Sequence, residues 1–279
     1  MKAGSKVIVH WSKAFIVGMA YVMLGRCELL DDLYITGEFS AEQIKCDLIY
    51  ALPEAQRLLE IFENSQREQR EQREQCWKIS YLNVRSMKSC NGHREDVKSD
   101  NLLMDSDLFG LGETWLEKDD QVNYDGFTGY FANFGNGKGV AAYNKIDLIA
   151  QPVTVSKETY SAIFMKTKDF HVIFLYLSSN YDKNCLFALL DIWIEKDVPT
   201  AVLGDVNEDL LKMKKIAFEK KMAKKGFHQL IKEPTCVTGS LIDHIYVNDA
   251  MKARGISTAI DSAYYSDHDQ LSLFVQKLK

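Results

Sequence analysis

The sequence predicts an α+β protein in which packed β-sheets are flanked by helices, and three observations carry that reading. Eight short apolar runs, at 79–84, 108–111, 139–143, 162–165, 172–177, 201–203, 241–247 and 271–275, alternate with polar loops in the manner of strands. Only three stretches in the same region, 101–104, 184–196 and 210–225, have helical character, too few to place a helix after every strand. No G-x-G-x-x-G follows a strand and no G-x-x-x-x-G-K-[ST] occurs, which favours a sandwich over a doubly wound nucleotide-binding sheet. GNGKG at 135–139 accordingly reads as a glycine turn between strands.

Composition bounds the rest. With 279 residues, 46% hydrophobic and 26% charged, the chain is a globular protein able to bury a real core. Its 39 acidic and 34 basic residues leave a net charge of −5, so no global basic field advertises nucleic acid. The six cysteines, Cys27, Cys46, Cys76, Cys90, Cys185 and Cys236, include no C-x-x-C pair and form neither a zinc ribbon nor a disulfide framework. Lys2 and Lys6 precede an apolar stretch at 14–24 that resembles a signal-peptide core, but it is shorter than the roughly 20 residues that span a bilayer. No small-x-small cleavage site follows it and no N-x-S/T acceptor occurs, so an intracellular protein is expected, with no membrane partner.

The segment at 66–75 reads QREQREQREQ, which has no hydrophobic face at either helical or strand period. It reads as a solvated helix or a connector, and the expected organisation is an N-terminal unit over 1–62, a polar linker over 63–76 and a main domain over 77–279. The N-terminal unit holds an apolar run at 7–24, a turn and strand at 31–36, and a helix-like stretch at 53–62 with Ala55, Leu58, Leu59 and Phe62 at three-and-four spacing. Sixty residues is marginal for independent stability.

Five polar motifs stand where apolar runs end. They are LNVRS with Asn83, GLGETWL with Glu113, AVLGDVNEDL with Asp205 and Asn207, SLIDHIYV with Asp243 and His244, and SDHDQL with Asp267 and His268. Any one of them is an ordinary loop or a satisfied core histidine. An acidic residue emerging from a hydrophobic strand is costly unless paired or metal-bound, and several in one domain suggest a shared cation. Strand alternation aims Asp205 and Asn207 to one side. Oxygen donors with few His and no Cys among them suit a hard ion, Mg²⁺ or Mn²⁺, and that ion suits hydrolysis at phosphorus. An imidazole held by a carboxylate would be kept cationic for a phosphate.

Residues 77–277 resemble the endonuclease/exonuclease/phosphatase superfamily, which includes abasic-site endonucleases, pancreatic-type deoxyribonuclease and the endonucleases of non-LTR retrotransposons. The motifs LNVRS, GETWL, GVAAY, GDVN, IDHI and SDH match in order, in the phrasing of the transposon-encoded enzymes. The resemblance implies a DNase I-like four-layer α/β/β/α sandwich and a Mg²⁺-dependent DNA endonuclease, with Mn²⁺ able to substitute. It implies Glu113 as the principal metal residue with Asn83 and Asp267. It further implies Asp205 as positioner or base for the attacking water, Asn207 orienting water and phosphate, His268 on the scissile phosphate, Asp243 orienting His268, and Tyr176 at the phosphate or leaving group. Arg85 stands where many abasic-site enzymes carry an acidic residue, so metal binding leans on Glu113 and Arg85 becomes a candidate phosphate contact. Nothing implies recognition of abasic sites.

GMAYVMLGRCELLDDLYITGEF, at 18–39, resembles the last motif of the Pif-type helicases of Helitron transposons, with Arg26 at the arginine-finger position. Met19 and Gly25 replace the family's glutamine and serine, and no phosphate-binding loop exists, so no ATP binding is expected of this remnant. The pairing implies a transposon origin, with the nucleus as the expected compartment. Lys212, Lys214, Lys215, Lys220, Lys221, Lys224 and Lys225 form either a DNA-backbone contact or a solvated helix face. A phosphatase or lipid phosphodiesterase of the same superfamily, and an inactive DNA-binding remnant, are the competing readings.

Overall fold

The computed structural model describes residues 7–10, 33–36, 74–88, 90–212 and 217–278. The chain divides into two compact units, Met1–Gln75 with Ser99–Met104, and Cys76–Lys98 with Asp105–Lys279. In the first unit, β1 (Val7–His10) and β2 (Leu33–Thr36) pair in parallel, Val7 opposite Leu33 and His10 opposite Thr36. The rest of the 7–24 run, the 53–62 helix and the helicase-like 18–39 apart from β2 lie outside the described residues, as does the polar repeat before residue 74.

The second unit is built on two six-stranded sheets. One runs β13 (Ile256–Ser262), β14 (Asp269–Gln276), β3 (Cys76–Asn83), β4 (Leu108–Gly112), β6 (Val140–Asn144), β5 (Thr128–Ala132). The other runs β11 (Phe227–Gln229), β12 (Asp243–Asn248), β10 (Thr200–Asp205), β9 (His171–Leu177), β8 (Tyr160–Lys166), β7 (Val153–Ser156). Each sheet is antiparallel except for one central parallel pair, β3 with β4 and β9 with β10. Strands covered on both faces read as unbroken apolar runs, which is why β4, β6, β9, β10 and β12 are buried along their whole length.

Between the sheets Ile79, Tyr81, Leu108, Ala142, Ile163, Val172, Phe174, Leu203, Ile245 and Leu273 form the main core. The sheets approach closely at Gly110, where a Cβ would meet Phe174 Cδ1 at 2.3 Å. The outer face of the β9–β10 sheet is covered by α3 (Lys183–Trp193) and α4 (Ala217–Lys224), which set Leu186, Phe187, Leu190, Trp193, Phe218 and Met222 against Ile173, Leu175, Val202 and Tyr246. Asp182 caps α3, its Oδ1 accepting from Asn184 N and Cys185 N at 3.0 Å each. Against the other sheet's outer face, Phe109 and Tyr143 stack at 4.8 Å, and Tyr124 and Phe127 pack on them. Tyr124 also donates to the carbonyl of Arg94, at the start of α1 (Arg94–Ser99). Two further helices among the described residues are single turns, α2 (Asn101–Met104) in the first unit and α5 (Asp249–Lys252) in the second. This is the DNase I-like α+β sandwich that the sequence predicts. Among the described residues no helix is long and apolar enough to cross a membrane.

The elements depart from the sequence reading in two ways. The lysine-rich helix is shorter: 217–224 are helical, 210–212 form a turn, and Lys214 and Lys215 lie outside the described residues. Asp209 Oδ1 accepts from Leu211 N at 3.0 Å and from Leu241 N at 3.1 Å, which fixes that turn instead of a first helical turn. Of its lysines, Lys221 lies over the Phe187 ring and Lys225 pairs with Asp191, while Lys220 and Lys224 are exposed. Likewise α3 stops at Trp193, because Ile194 is extended and Asp197 takes a left-handed φ of 65° before Pro199. The strands β5, β7, β11 and β13, absent from the sequence reading, are the four sheet edges.

Candidate active site

The carboxyl ends of the two central parallel pairs deliver the polar residues. Asn83 ends β3, Glu113 follows β4, Tyr176 is the penultimate residue of β9 and Asp205 ends β10. The antiparallel neighbours supply the rest from their starts. Asp243 opens β12 directly opposite Asp205, and Asp267 and His268 lead into β14. Loops at strand ends are where a rigid sheet can hold side chains to a common point.

Asn83, fully buried, bridges two carboxylates: its Nδ2 donates to Asp205 Oδ2 at 2.9 Å and to Glu113 Oε1 at 3.2 Å. Its Oδ1 accepts from Arg85 N at 3.1 Å, which closes a tight turn after β3. Glu113 Oε2 accepts a long hydrogen bond from Trp115 Nε1, at 3.4 Å. Tyr176 stands opposite Asp205 in the β9–β10 register, with its hydroxyl facing Glu113 and Asn207. Burial, then the charges of Glu113 and Asp205, hold its phenol well above the usual value, so it stays protonated.

Asp205 is 1% exposed, with Oδ1 accepting from Asn207 N at 2.8 Å. Burial first and then the charge of Asp243 push its carboxyl upward, against the opposing pull of His268 and of its hydrogen bonds. Asp243, with no exposure, accepts from Thr235 Oγ1 at 2.9 Å, and its Oδ2 lies 2.8 Å from His268 Nδ1. Burial disfavours the imidazolium, but the Asp243 hydrogen bond and the charges of Asp243 and Asp205 prevail and raise His268 to about 10. The result is an imidazolium held by Asp243, with Asp205 close by. Asp205, Asp243 and His268 each place a ligand-capable atom within 4.8 Å of the other two.

The structure does not gather every expected residue equally. Asp267 Oδ2 is taken by Arg85 Nη1 at 2.7 Å, so the acid expected at the metal is ion-paired to the residue expected at a phosphate. Asn83 faces Glu113 with its amide nitrogen, as a donor bridging acids. Asn207 does not continue the strand alternation: its φ is 52°, and its Nδ2 donates to Leu177 O at 2.8 Å. Arg85 (φ 51°) and Glu113 (φ 47°) share this left-handed conformation, which costs a non-glycine residue of order 1 kcal/mol or more and clusters at functional sites.

Two participants escape sequence reasoning. Ser266 Oγ donates to Asn83 O at 2.6 Å and accepts from His268 N at 3.1 Å, tying the first and last motifs of the site together. Its position beside Asp267 and His268 was a signal. Thr235 Oγ1 donates to Asp243 and accepts from the amides of Ile242 and Asp243 at 3.3 and 3.1 Å. Eight residues upstream in a loop, Thr235 carries no sequence mark.

A profile described as the endonuclease/exonuclease/phosphatase family matches residues 82–268. The chain belongs to that family. No curated protein sequence matches it. Among solved structures, the fold is similar to the endonuclease domain of TRAS1, a telomere-specific non-LTR retrotransposon, at 14% identity and TM-score 0.53, covering 73% of this chain and 100% of that one. It is also similar to an AP endonuclease from Archaeoglobus fulgidus, at 18% identity and TM-score 0.57, over 72% and 100%. A 3'-5' exonuclease from Neisseria meningitidis aligns at 20% identity and TM-score 0.53, over 72% and 100%. At these identities the likeness establishes the fold.

Proposed function

We propose that the protein is a metal-dependent DNA endonuclease that nicks phosphodiester bonds, with Mg²⁺ as its cation and Mn²⁺ able to replace it. The observation that carries this is the single strand-end cluster in which a buried, carboxylate-held imidazolium lies beside acids supplied by both sheets. The residues suit a hard cation: Glu113 Oε2 is weakly engaged, and Asp243 Oδ1 and Asp267 Oδ1 are buried without hydrogen-bond partners. Glu113 would hold it, with Asn83 and, once released by Arg85, Asp267. Bound there, the cation would polarise a phosphoryl oxygen and offset charge on the leaving oxygen.

The side chains perform the remaining work. Asp205, whose affinity for a proton is raised, takes one from the attacking water, which Asn207 orients. The oxygen–phosphorus bond forms as the bond to the leaving oxygen breaks, and that oxygen regains its proton from solvent. His268 offers its Nε2–H to the phosphate while Asp243 holds Nδ1. Tyr176, kept protonated, donates toward the phosphate or leaving group. The N-terminal unit over 1–62 we infer to be a Pif-type helicase remnant of Helitron origin joined by the 63–76 linker, on the strength of the 18–39 motif.

Supercoiled-plasmid nicking by the full chain tests the reading. Open circles should form with Mg²⁺ and vanish with EDTA, and Asp205→Ala or His268→Ala should slow nicking by roughly 10²–10⁴-fold. A folded protein that leaves the plasmid intact with Mg²⁺ or Mn²⁺, but releases phosphate from an inositol phosphate, would replace endonuclease by phosphatase.

A further inference from the structure

We propose that Cys236, His268 and Asp267 form a second metal site, selective for a borderline-soft divalent ion such as Zn²⁺, and that its occupation switches the centre off. Metal binding here stands on geometry alone; the inhibitory consequence rests on the role proposed for His268.

The backbone builds the juxtaposition. Cys236 and His268 form an isolated antiparallel bridge, flanked by Val237 N donating to Asp267 O at 2.9 Å and Asp269 N donating to Thr235 O at 2.8 Å. One ligand-capable atom from each of the three side chains lies within 4.8 Å of the other two. Thiolate, imidazole and carboxylate together are donors that suit Zn²⁺, with a water as fourth ligand, and suit Mg²⁺ poorly.

In two of the side chains one polar atom is already committed, which leaves one uncommitted atom on each. His268 Nδ1 is held by Asp243 Oδ2 at 2.8 Å, so Nε2 is the free nitrogen, 3.9 Å from Asp267 Oδ1. A carboxylate behind the imidazole is the arrangement that orients metal-binding histidines and makes them more basic. Asp267 Oδ2 is held by Arg85 at 2.7 Å, and Oδ1 is buried without a hydrogen-bond partner. Thr238 Oγ1 donates to Cys236 Sγ at 3.4 Å, outer support for the sulfur. Cys236 is 8% exposed and has no part in the hydrolytic scheme.

Binding releases the thiol proton and the Nε2 proton of His268 to solvent. His268 then has no Nε2–H to offer a phosphate, and Asp267 is withdrawn from the hard-cation side. A thiol-seeking ion thus competes with Mg²⁺ chemistry through a shared histidine and a shared acid.

Co²⁺ titration of the full chain without DNA tests the site directly, because cobalt–thiolate coordination has a near-ultraviolet charge-transfer band. The wild type should show the band and lose it to added Zn²⁺. Cys236→Ser should lack the band, bind Zn²⁺ at least roughly tenfold more weakly, and lose the Zn²⁺-induced rise in Tm. Asp267→Asn should keep the band with weakened affinity. Absence of the band in the wild type, or unchanged band and Zn²⁺ affinity in Cys236→Ser, overturns the site. In Mg²⁺-supported nicking, Zn²⁺ should suppress the wild type and spare Cys236→Ser; equal suppression of both overturns the switch. Failure of nicking with Mg²⁺ alone sinks the endonuclease reading while the cobalt spectrum still decides the metal site.

Discussion

Gly112→Ala offers a test of how the site is held up from behind. Gly112 ends β4, pairs with Asn83 on β3 and directly precedes Glu113. A Cβ there would lie 2.0 Å from the Tyr81 hydroxyl oxygen and 3.0 Å from its Cζ. Real Cβ contacts stay beyond 3.0 Å, so the ring or the strand must yield by about 1 Å. Tyr81 is fully buried and cannot swing to solvent. Overpacking of this kind costs about 1–3 kcal/mol, or roughly 2–12 °C in Tm for a domain of this size. The yielding group decides the rescue. The Tyr81 hydroxyl makes no hydrogen bond of normal geometry, although the Asp205 amide faces it, so Tyr81→Phe should itself cost little. Because it deletes the atom at 2.0 Å, it should recover most of the Gly112→Ala loss, a coupling of about 1–2 kcal/mol in a double-mutant cycle. Urea unfolding of the four proteins measures it. Strict additivity would refute the claim that the glycine exists to admit the phenol.

Three further predictions follow from named contacts. Thr235→Val should strip Asp243 of a hydroxyl donor and leave two amides without their acceptor, costing about 1–3 kcal/mol; nicking should fall while Thr235→Ser restores it, and unchanged nicking in the valine variant would show that Asp243 needs no support. His244, buried with its ring between Leu241 O and the Tyr246 hydroxyl, is lowered by burial to about 4. Because the unfolded chain gains that proton first, the His244 contribution should be flat above pH 6.5 and should lower stability by about 3 kcal/mol as pH drops from 6.5 to 4, a slope that His244→Gln should flatten in urea melts. Arg85→Ala removes an ion pair whose arginine is half exposed, so stability should change by no more than about 1 kcal/mol, while the salt dependence of DNA binding should lose about one phosphate contact; an unaltered slope would remove Arg85 from the interface.

The inner and outer strands show why part of the fold was legible. All eight apolar runs correspond to inner strands, whose burial on two faces demands consecutive hydrophobic residues. The four edges, such as VTVS of β7 and ISTAIDS of β13, are exposed or half-buried along most of their length, so they carry no run to detect. The lysine-rich helix was overextended because Asp209 reaches across 32 residues to the Leu241 amide, a contact no local pattern encodes.

By itself, the sequence determined the residue types of the site and their placement at strand ends, because an acid at the end of an apolar strand stands out against its surroundings. Tertiary structure decided what those residues do to one another. Only the pairing of β10 with β12 sets Asp205 opposite Asp243, and only the approach of β14 brings His268 to them from the far end of the chain. The same closure gave Asp267 to Arg85 and placed Cys236 beside His268. Charge coupling and donor sets depend on distances of a few ångströms between residues far apart in sequence, and those distances exist only once both sheets have closed on their shared core.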